Sequence, residues 1–144
     1  MKYVTMGTRK VSVIGLGTWQ FGEVGWGWGT QLDHEEAIRI VHRALELGIN
    51  FFDTAAVYGN GRSEEILGEA LRERRQEAII ATKVAPPLRP DRVMQAGRDS
   101  LRRLDIESID LYQLHAPDPG TPLVRTMRAI RALMDAGQVQ QVGV

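Results

Sequence analysis

The chain has 144 residues, with 18 lysines and arginines against 18 aspartates and glutamates, so its formal net charge is zero. A neutral chain does not attract nucleic acid or an anionic membrane surface, and neither is an expected partner. The absence of cysteine excludes disulfides and suits a cytoplasmic protein, and no apolar run is long enough to span a membrane.

Apolar runs with the length of β-strands recur along the chain. The first covers residues 11–16 and leads into Gly17-Thr18-Trp19. Residues 1–10 are expected to form part of a short hairpin with residues 11–14 that closes the bottom of the sheet. The later runs cover residues 49–53, 78–83, 109–115 and 139–144. Their nearly continuous apolar character is typical of strands that are covered on both faces.

Each gap between these strands has the pattern of an amphipathic helix. The predicted caps or first residues are Asp33 with Glu36, Ser63, Pro90, and Thr121 with Pro122. Gly48 and Gly137 are typical stops for the first and the fourth helix. The apolar residues expected to face inward on the fourth helix are Leu123, Met127, Ile130 and Met134.

The order β-α-β-α-β-α-β-α-β predicts an α/β fold in which helical crossovers join parallel strands. A complete (β/α)₈ barrel needs about 250 residues, and about 200 at the least, whereas this chain has 144. Five strands and four helices therefore predict a partial (β/α)₈ TIM barrel. We expect residues 1–144 to be the N-terminal half of a single barrel domain whose C-terminal half is absent from this sequence.

Four polar residues lie at or shortly after the ends of three predicted strands. Asp53, Lys83 and His115 close their strands, and Tyr58 follows Asp53 by five positions. A charged side chain that closes an apolar strand is costly to bury unless it is paired or functional. The carboxyl ends of the strands are also where the catalytic groups of an α/β barrel gather. The four residues therefore predict a catalytic site.

These side chains suit proton transfer to a carbonyl oxygen. A tyrosine is a weak acid at neutral pH unless a neighbouring ammonium group favours its phenolate. Lys83 could supply that ammonium group, Asp53 could keep it oriented, and His115 could hydrogen-bond a substrate carbonyl. The alternative is structural, with Asp53 and Lys83 forming a buried ion pair that ties neighbouring strands together.

Several short motifs extend this pattern along the whole chain. They are Gly15-Leu16-Gly17-Thr18-Trp19, Phe52-Asp53-Thr54-Ala55 with Tyr58-Gly59, Ser63-Glu64-Glu65-Ile66-Leu67-Gly68, Ala81-Thr82-Lys83, Ser100-Leu101-Arg102-Arg103-Leu104, Ile109-Asp110-Leu111-Tyr112-Gln113-Leu114-His115 and Gly143-Val144. In combination they resemble the N-terminal half of the aldo-keto reductase family. The resemblance implies a (β/α)₈ barrel that reduces aldehydes and ketones with a nicotinamide cofactor, usually NADPH, with NADH as the alternative.

The resemblance also implies a role for each site residue. In that family an aspartate, a tyrosine, a lysine and a histidine form the catalytic tetrad, which matches Asp53, Tyr58, Lys83 and His115. The residues expected to contact the cofactor are Gly17, Thr18, Trp19 and Asp53. Those expected to contact the small-molecule carbonyl substrate are Trp19, Tyr58 and His115. Many relatives place a tryptophan directly after the histidine, where this chain has Ala116, which implies a pocket wall that is more open or is filled by another residue.

Two other functions fit the same residues. Lys83 could be the Schiff-base nucleophile of a lyase or aldolase, although Asp53 beside it would hold the ammonium charged. Some relatives in the family serve as cofactor-binding regulatory subunits, and an intact tetrad permits that role.

Other chemistry-bearing residues carry weaker signals. Trp26 and Trp28 lie in a glycine-rich loop after the first strand, where they could form a substrate lid or pack against the neighbouring helix. His34 and His42 lie on one predicted helix without partners at ligand spacing, so we expect no metal site.

Overall fold

The computed structural model describes residues Met1 to Val144, which form a two-stranded sheet, a five-stranded sheet and four α-helices. Strands β1 (Tyr3–Met6) and β2 (Arg9–Ser12) form an antiparallel hairpin. The main sheet has five parallel strands in chain order, namely β3 (Gly15–Gly17), β4 (Phe51–Asp53), β5 (Ile79–Val84), β6 (Ile109–Leu114) and β7 (Val139–Gly143). The helices that connect them are α1 (His34–Glu46), α2 (Arg62–Leu71), α3 (Pro90–Leu104) and α4 (Leu123–Asp135). The predicted partial barrel and N-terminal hairpin are confirmed.

The helices cover one face of the main sheet and leave the other as the inner face of the half-barrel. Phe52 of β4 and Ile80 of β5 are fully buried in one apolar cluster with α1 and α2. Tyr112 of β6 is fully buried in a second cluster with α3 and α4. Because successive side chains of a strand point to opposite faces, Asp53 and Lys83 lie on the inner face.

The predicted starts of α1 and α3 are confirmed. Asp33 is the N-cap of α1, and its carboxylate accepts a hydrogen bond of 2.8 Å from the backbone N–H of Glu36. Pro90 is the first residue of α3, where its missing N–H costs nothing. Gly48 follows the end of α1 with φ of 80°, a left-handed conformation that favours glycine.

The predicted start of α2 is wrong. This helix begins at Arg62 with Gly61 as its N-cap, and Gly61 has φ of 93°. Ser63 lies inside the first turn and is fully buried. Its hydroxyl donates to the carbonyl oxygen of Thr18 at 2.7 Å, so a contact with a distant loop takes the hydroxyl that local capping would have used.

The predicted start of α4 is wrong by one position, because Pro122 is the N-cap and Leu123 the first helical residue. The backbone N–H of Thr121 instead donates to Asp118 in the turn before the helix. Leu123 does not face inward, since it is 58% exposed and lines a cavity beside His115 at the rim of the sheet. Ile130 is buried as predicted, and Met127 and Met134 pack against the same cluster.

The predicted strand over residues 11–16 is divided between the two sheets. Val11 and Ser12 belong to β2, and β3 begins only at Gly15. A Cβ atom at Gly15 would lie 2.8 Å from the ring of Phe51, so a larger residue here would require the Phe51 ring or the strand to shift.

The hairpin is hydrogen-bonded to the amino ends of the strands of the main sheet, as predicted. The Arg9 guanidinium donates to the carboxylate of Asp110 at 2.7 Å and to the carbonyl oxygen of Ala78 at 3.1 Å. These bonds place the hairpin at the end of the sheet opposite the predicted site. None of the helices combines the length and apolarity that crossing a membrane requires.

Candidate active site

Three of the four predicted catalytic side chains meet at the ammonium group of Lys83. Its Nζ lies 2.7 Å from Oδ2 of Asp53 and 3.2 Å from the phenol oxygen of Tyr58. A third bond of 2.9 Å goes to the carbonyl oxygen of Thr54. Because an ammonium group has three N–H donors, all of them are used. The ammonium is thereby fixed between the carboxylate and the phenol.

The direction of these hydrogen bonds matters for Tyr58. Lys83 can only donate, so the phenol oxygen of Tyr58 is the acceptor of the bond between them. The O–H hydrogen of Tyr58 is therefore free to be donated in another direction. Lys83 is mostly buried, and Asp53 is partly open to solvent.

His115 completes the group from the adjacent strand. It follows β6 directly, and its ring meets the ring of Tyr58 edge-on, with 5.6 Å between centroids and an angle of 89°. Burial and the nearby Lys83 ammonium lower the pKa of His115 below its usual value of 6.5, and Asp53 opposes them. The imidazole is therefore neutral at neutral pH. Its Nδ1 is buried without a hydrogen-bond partner in the protein.

The position of Tyr58 is set by a tight turn over residues 58–61. Gly59 and Asn60 have φ of 53° and 55°, a region open to glycine and tolerated by asparagine. A Cβ atom at Gly59 would lie 2.9 Å from backbone atoms of Phe21 and Gly22. The loop after β4 therefore packs closely against the loop after β3, which fixes the tyrosine over the sheet.

A buried cluster of three hydroxyl groups lies directly beneath these loops. Ser63 Oγ is 2.7 Å from Thr18 Oγ1 and 3.0 Å from Thr54 Oγ1. The backbone N–H of Thr18 donates to the carbonyl oxygen of Asp53 at 2.9 Å. This cluster ties the end of β3 to the end of β4 and to α2. The sequence indicated this cluster only in that each of its three residues belongs to one of the motifs that resemble the family.

The structure places the predicted cofactor residues in two different settings. Thr18 is fully buried and its hydroxyl faces the cluster. Trp19 is 45% exposed at the rim, with its ring centroid 6.4 Å from that of Tyr58. Gly17 is exposed, and a Cβ atom there would have no neighbour within 4 Å. The contacts of these residues with a cofactor stay predictions.

The two tryptophans of the predicted lid also differ. Trp26 packs against Trp19 in a tilted arrangement, with 4.4 Å between ring centroids. Trp28 packs against the apolar cluster beneath the loop, and the Arg62 guanidinium lies 5.8 Å from its ring centroid. Of these two tryptophans, only Trp26 extends the aromatic surface that Trp19 and Tyr58 form.

Sequence reasoning missed Gln113. This residue pairs with Lys83 in the register of β5 and β6, so both side chains lie on the inner face. Its Oε1 is buried without a hydrogen-bond partner in the protein, which is uncommon for a polar atom away from a functional site. A polar residue two positions before His115, and so on the same face of the predicted strand, was the available signal.

The remaining polar candidates lie away from this site. His34 is 3.0 Å from the Glu69 carboxylate, and His42 donates to the carbonyl oxygen of Ala70 at 2.8 Å, so both link α1 to α2. No group of three or more His, Cys, Asp or Glu side chains could hold a metal ion.

A cavity of about 300 Å³ lies next to His115. Its walls are mostly apolar and consist of Leu114, His115, Ala116, Pro117, Leu123 and Val144. Ala116 is one of these lining residues, and the effect of its short side chain on the pocket wall stays a prediction.

Comparison with known proteins identifies the family. The sequence model that describes the aldo/keto reductase family matches residues 13–144, which is most of the chain. The chain belongs to this family.

Similar aldo-keto reductases and oxidoreductases come from several organisms. An "uncharacterized oxidoreductase" of Mycobacterium tuberculosis is 46% identical over 147 residues, which cover 100% of this chain and 45% of that protein. The aldo-keto reductase YhdN of Bacillus subtilis is 39% identical, over 100% of this chain and 46% of that protein. A "probable voltage-gated potassium channel subunit beta" of Arabidopsis thaliana is 37% identical, over 95% of this chain and 44% of that protein. The chain thus spans about half the length of the curated relatives that it matches.

Solved structures of aldo-keto reductases share the fold. The thermostable aldo-keto reductase Tm1743 superposes with a TM-score of 0.90 at 33% identity, over 100% of this chain and 53% of that one. An aldo-keto reductase from Klebsiella pneumoniae in complex with NADPH gives a TM-score of 0.85 at 30% identity, over 95% of this chain and 46% of that one.

Proposed function

We propose that the complete protein containing this chain reduces an aldehyde or ketone to an alcohol, with NADPH as hydride donor and Tyr58 as general acid. NADH is the alternative donor. The observation that carries the proposal is the position of Lys83 Nζ, bonded to Asp53 at 2.7 Å and to the Tyr58 phenol at 3.2 Å. The neutral charge and lack of cysteine favour a cytoplasmic enzyme acting on small molecules.

Each of the four side chains has a part in moving the proton. The O–H bond of Tyr58 breaks as its proton passes to the carbonyl oxygen, which becomes the hydroxyl of the alcohol. The Lys83 ammonium stabilises the phenolate that remains, because opposite charges attract strongly at this distance away from bulk water. Asp53 fixes the ammonium in place. The neutral imidazole of His115 can donate a hydrogen bond that holds the carbonyl oxygen near the phenol.

The residues around Tyr58 suit a nicotinamide cofactor. Gly17 leaves open space, Trp19 presents an exposed indole, and the Gln113 amide has a buried oxygen without a partner. We assign the contacts to Gly17, Trp19 and Asp53, with Thr18 supporting them from below. Bound there, the cofactor supplies the hydride to the carbonyl carbon. The Klebsiella pneumoniae relative in complex with NADPH supports the choice of cofactor.

Replacement of Tyr58 by phenylalanine tests the proposal. General acid catalysis typically contributes about 10²- to 10⁴-fold, so Tyr58→Phe in the complete protein should lower kcat for an aldehyde by this order. The affinity for NADPH, measured by fluorescence titration, should be unchanged, because the phenyl ring keeps the packing. Tyr3→Phe is the matched control, since Tyr3 lies in the hairpin at the other end of the sheet. Near wild-type turnover by Tyr58→Phe would refute the assignment of the general acid.

A regulatory role is the second candidate, because a relative named as a probable potassium channel β-subunit is 37% identical to this chain. A protein with that role would bind NADPH but turn over carbonyls very slowly. Affinity capture with the complete protein as bait, with and without NADPH, would separate the two functions. A membrane-channel partner that is captured in a cofactor-dependent manner would favour the regulatory role.

Schiff-base chemistry at Lys83 is disfavoured by the geometry. A lysine nucleophile needs a free amine, and the Lys83 ammonium donates to three acceptors, one of them a carboxylate. Borohydride reduction in the presence of a ketone or aldehyde should therefore leave Lys83 unmodified. Mass-spectrometric detection of substrate trapped on Lys83 would support the lyase instead.

A further inference from the structure

A continuous row of four rings extends outward from the catalytic group. His115 lies 5.6 Å from Tyr58, Tyr58 lies 6.4 Å from Trp19, and Trp19 lies 4.4 Å from Trp26, all measured between ring centroids. The catalytic mechanism uses the first two rings. Trp26 ends the row and has no part in the chemistry of proton transfer.

The packing of Trp26 differs from that expected of a tryptophan used only to stabilise its loop. Trp26 is 54% exposed, and Trp19, against which it packs, is 45% exposed. Trp28, only two positions later, already anchors the loop by packing against the apolar cluster of α1 and α2. Exposed apolar side chains that cluster beside a catalytic group indicate a binding surface.

The shape of this surface favours a flat ligand. Trp19 and Trp26 are tilted by 47° to one another, and Trp19 and Tyr58 by 40°. Aromatic rings attract one another in offset and tilted arrangements with centroids about 4.5 to 7 Å apart. An aromatic group attached to a carbonyl near Tyr58 could therefore join the row and contact both indoles.

We propose that Trp26 is a specificity-determining residue that, together with Trp19, binds the aromatic group of an aryl aldehyde or aryl ketone substrate. The inference rests on the proposed carbonyl reduction. Trp26 takes part in no bond making, so it selects among substrates through binding alone.

A pair of substrates matched in size tests the proposal. Benzaldehyde and cyclohexanecarbaldehyde both carry a six-membered carbon ring, but only benzaldehyde is flat and aromatic. In the complete protein, Trp26→Leu should raise KM for benzaldehyde by about 3- to 10-fold, the loss expected for one aromatic pair. The KM for cyclohexanecarbaldehyde should change less than about twofold. The kcat for both aldehydes should be unchanged, because Trp26 stabilises the bound substrate and the transition state equally.

Val24→Ala is the matched control, because Val24 is a 76% exposed apolar residue without an aromatic ring in the same turn as Trp26. It should leave both KM values unchanged, whereas an equal rise with Val24→Ala would show that the turn as a whole, and not Trp26, is responsible. An equal rise in KM for the two aldehydes in Trp26→Leu would mean that Trp26 is a non-selective apolar cover and would overturn the proposal. Absence of turnover with any aldehyde in the wild-type protein would refute the proposed reductase function itself.

Discussion

Three influences on the pKa of His115 set its protonation state, and two of them oppose the third. Burial is the largest and lowers its pKa, the Lys83 ammonium lowers it further, and Asp53 raises it. Lys83 and Asp53 are paired at 2.7 Å, so their effects on the imidazole partly cancel, and burial decides the direction. A neutral histidine can orient a carbonyl oxygen without competing with Tyr58 as the proton donor.

The lowered pKa of His115 predicts the pH at which kcat/KM declines in acid. Because the pKa of His115 in the folded protein lies below 6.5, the imidazole becomes half protonated only below that pH. We expect kcat/KM of the complete protein to decline at low pH with a midpoint below 6.5. The decline should be absent in His115→Asn, whose amide does not titrate. A midpoint of the acid limb above 6.5 would contradict the direction of the shift.

At the scale of the elements, a buried ion pair holds the helices behind β5, the strand that carries Lys83. Glu64 of α2 is fully buried and accepts from Thr82 of β5 and from Nε of Arg103 of α3, both at 2.6 Å. Thr82 directly precedes Lys83 along the chain. The carboxylate thus joins two helices to the outer face of the strand that carries Lys83.

Removal of the arginine should leave a buried, uncompensated carboxylate. We expect Arg103→Met to lower the free energy of unfolding of the complete protein by about 3–5 kcal/mol, measured by urea denaturation. Arg131→Met is the control, because Arg131 pairs with Asp135 at 2.7 Å on the exposed surface of α4, where a pair contributes about 0–1 kcal/mol. Glu64→Gln added to Arg103→Met should recover part of the loss. Equal losses in the two single variants would contradict this account.

Two helical glycines provide a second prediction about packing between elements. A Cβ atom at Gly68 of α2 would lie 2.5 Å from the backbone carbonyl oxygen of Leu104, which cannot move without displacing the end of α3. A Cβ atom at Gly97 of α3 would lie 2.8 Å from the end of the Leu133 side chain and 3.6 Å from the phenol oxygen of Tyr112, and neither is backbone. Gly68→Ala should therefore destabilise the complete protein by about 1–3 kcal/mol. Gly97→Ala should cost less, since alanine's helix propensity offsets the contact. A Tm of Gly68→Ala at or above that of Gly97→Ala would refute the argument.

The elements also show which features the sequence could predict. Local periodicity and the end of each apolar run can be read directly from the sequence. These two features were enough to predict the strand order and the positions of Asp53, Lys83 and His115. Ser63 was misassigned because its hydroxyl bonds to Thr18, 45 positions away. Leu123 was misassigned because periodicity does not show where the sheet beneath a helix ends. Gln113 was overlooked because its significance depends on its pairing with Lys83 across two strands.

At the scale of the whole molecule, the main sheet has two open edges. Strands β3 and β7 each pair with only one neighbour, whereas a closed barrel has no edge. Four of the five residues of β7 lack full burial, and Val142 within it is an exposed apolar side chain. Unpaired strand edges are templates for association with another chain.

The 144-residue chain produced alone is expected to associate through these edges and to lack activity. The inner face has no facing strands, and each Å² of apolar surface left in water forgoes about 25 cal/mol of stabilisation against a marginal total. The zero net charge provides little repulsion between copies. We expect size-exclusion chromatography to show dimers or aggregates, and titration with NADPH to show no micromolar binding. Replacing Val142 by lysine, a charge that natural edge strands use to prevent pairing, should shift the population towards monomer. A sharp monomer peak together with micromolar NADPH binding by the unmodified chain would show that the half-barrel is self-sufficient.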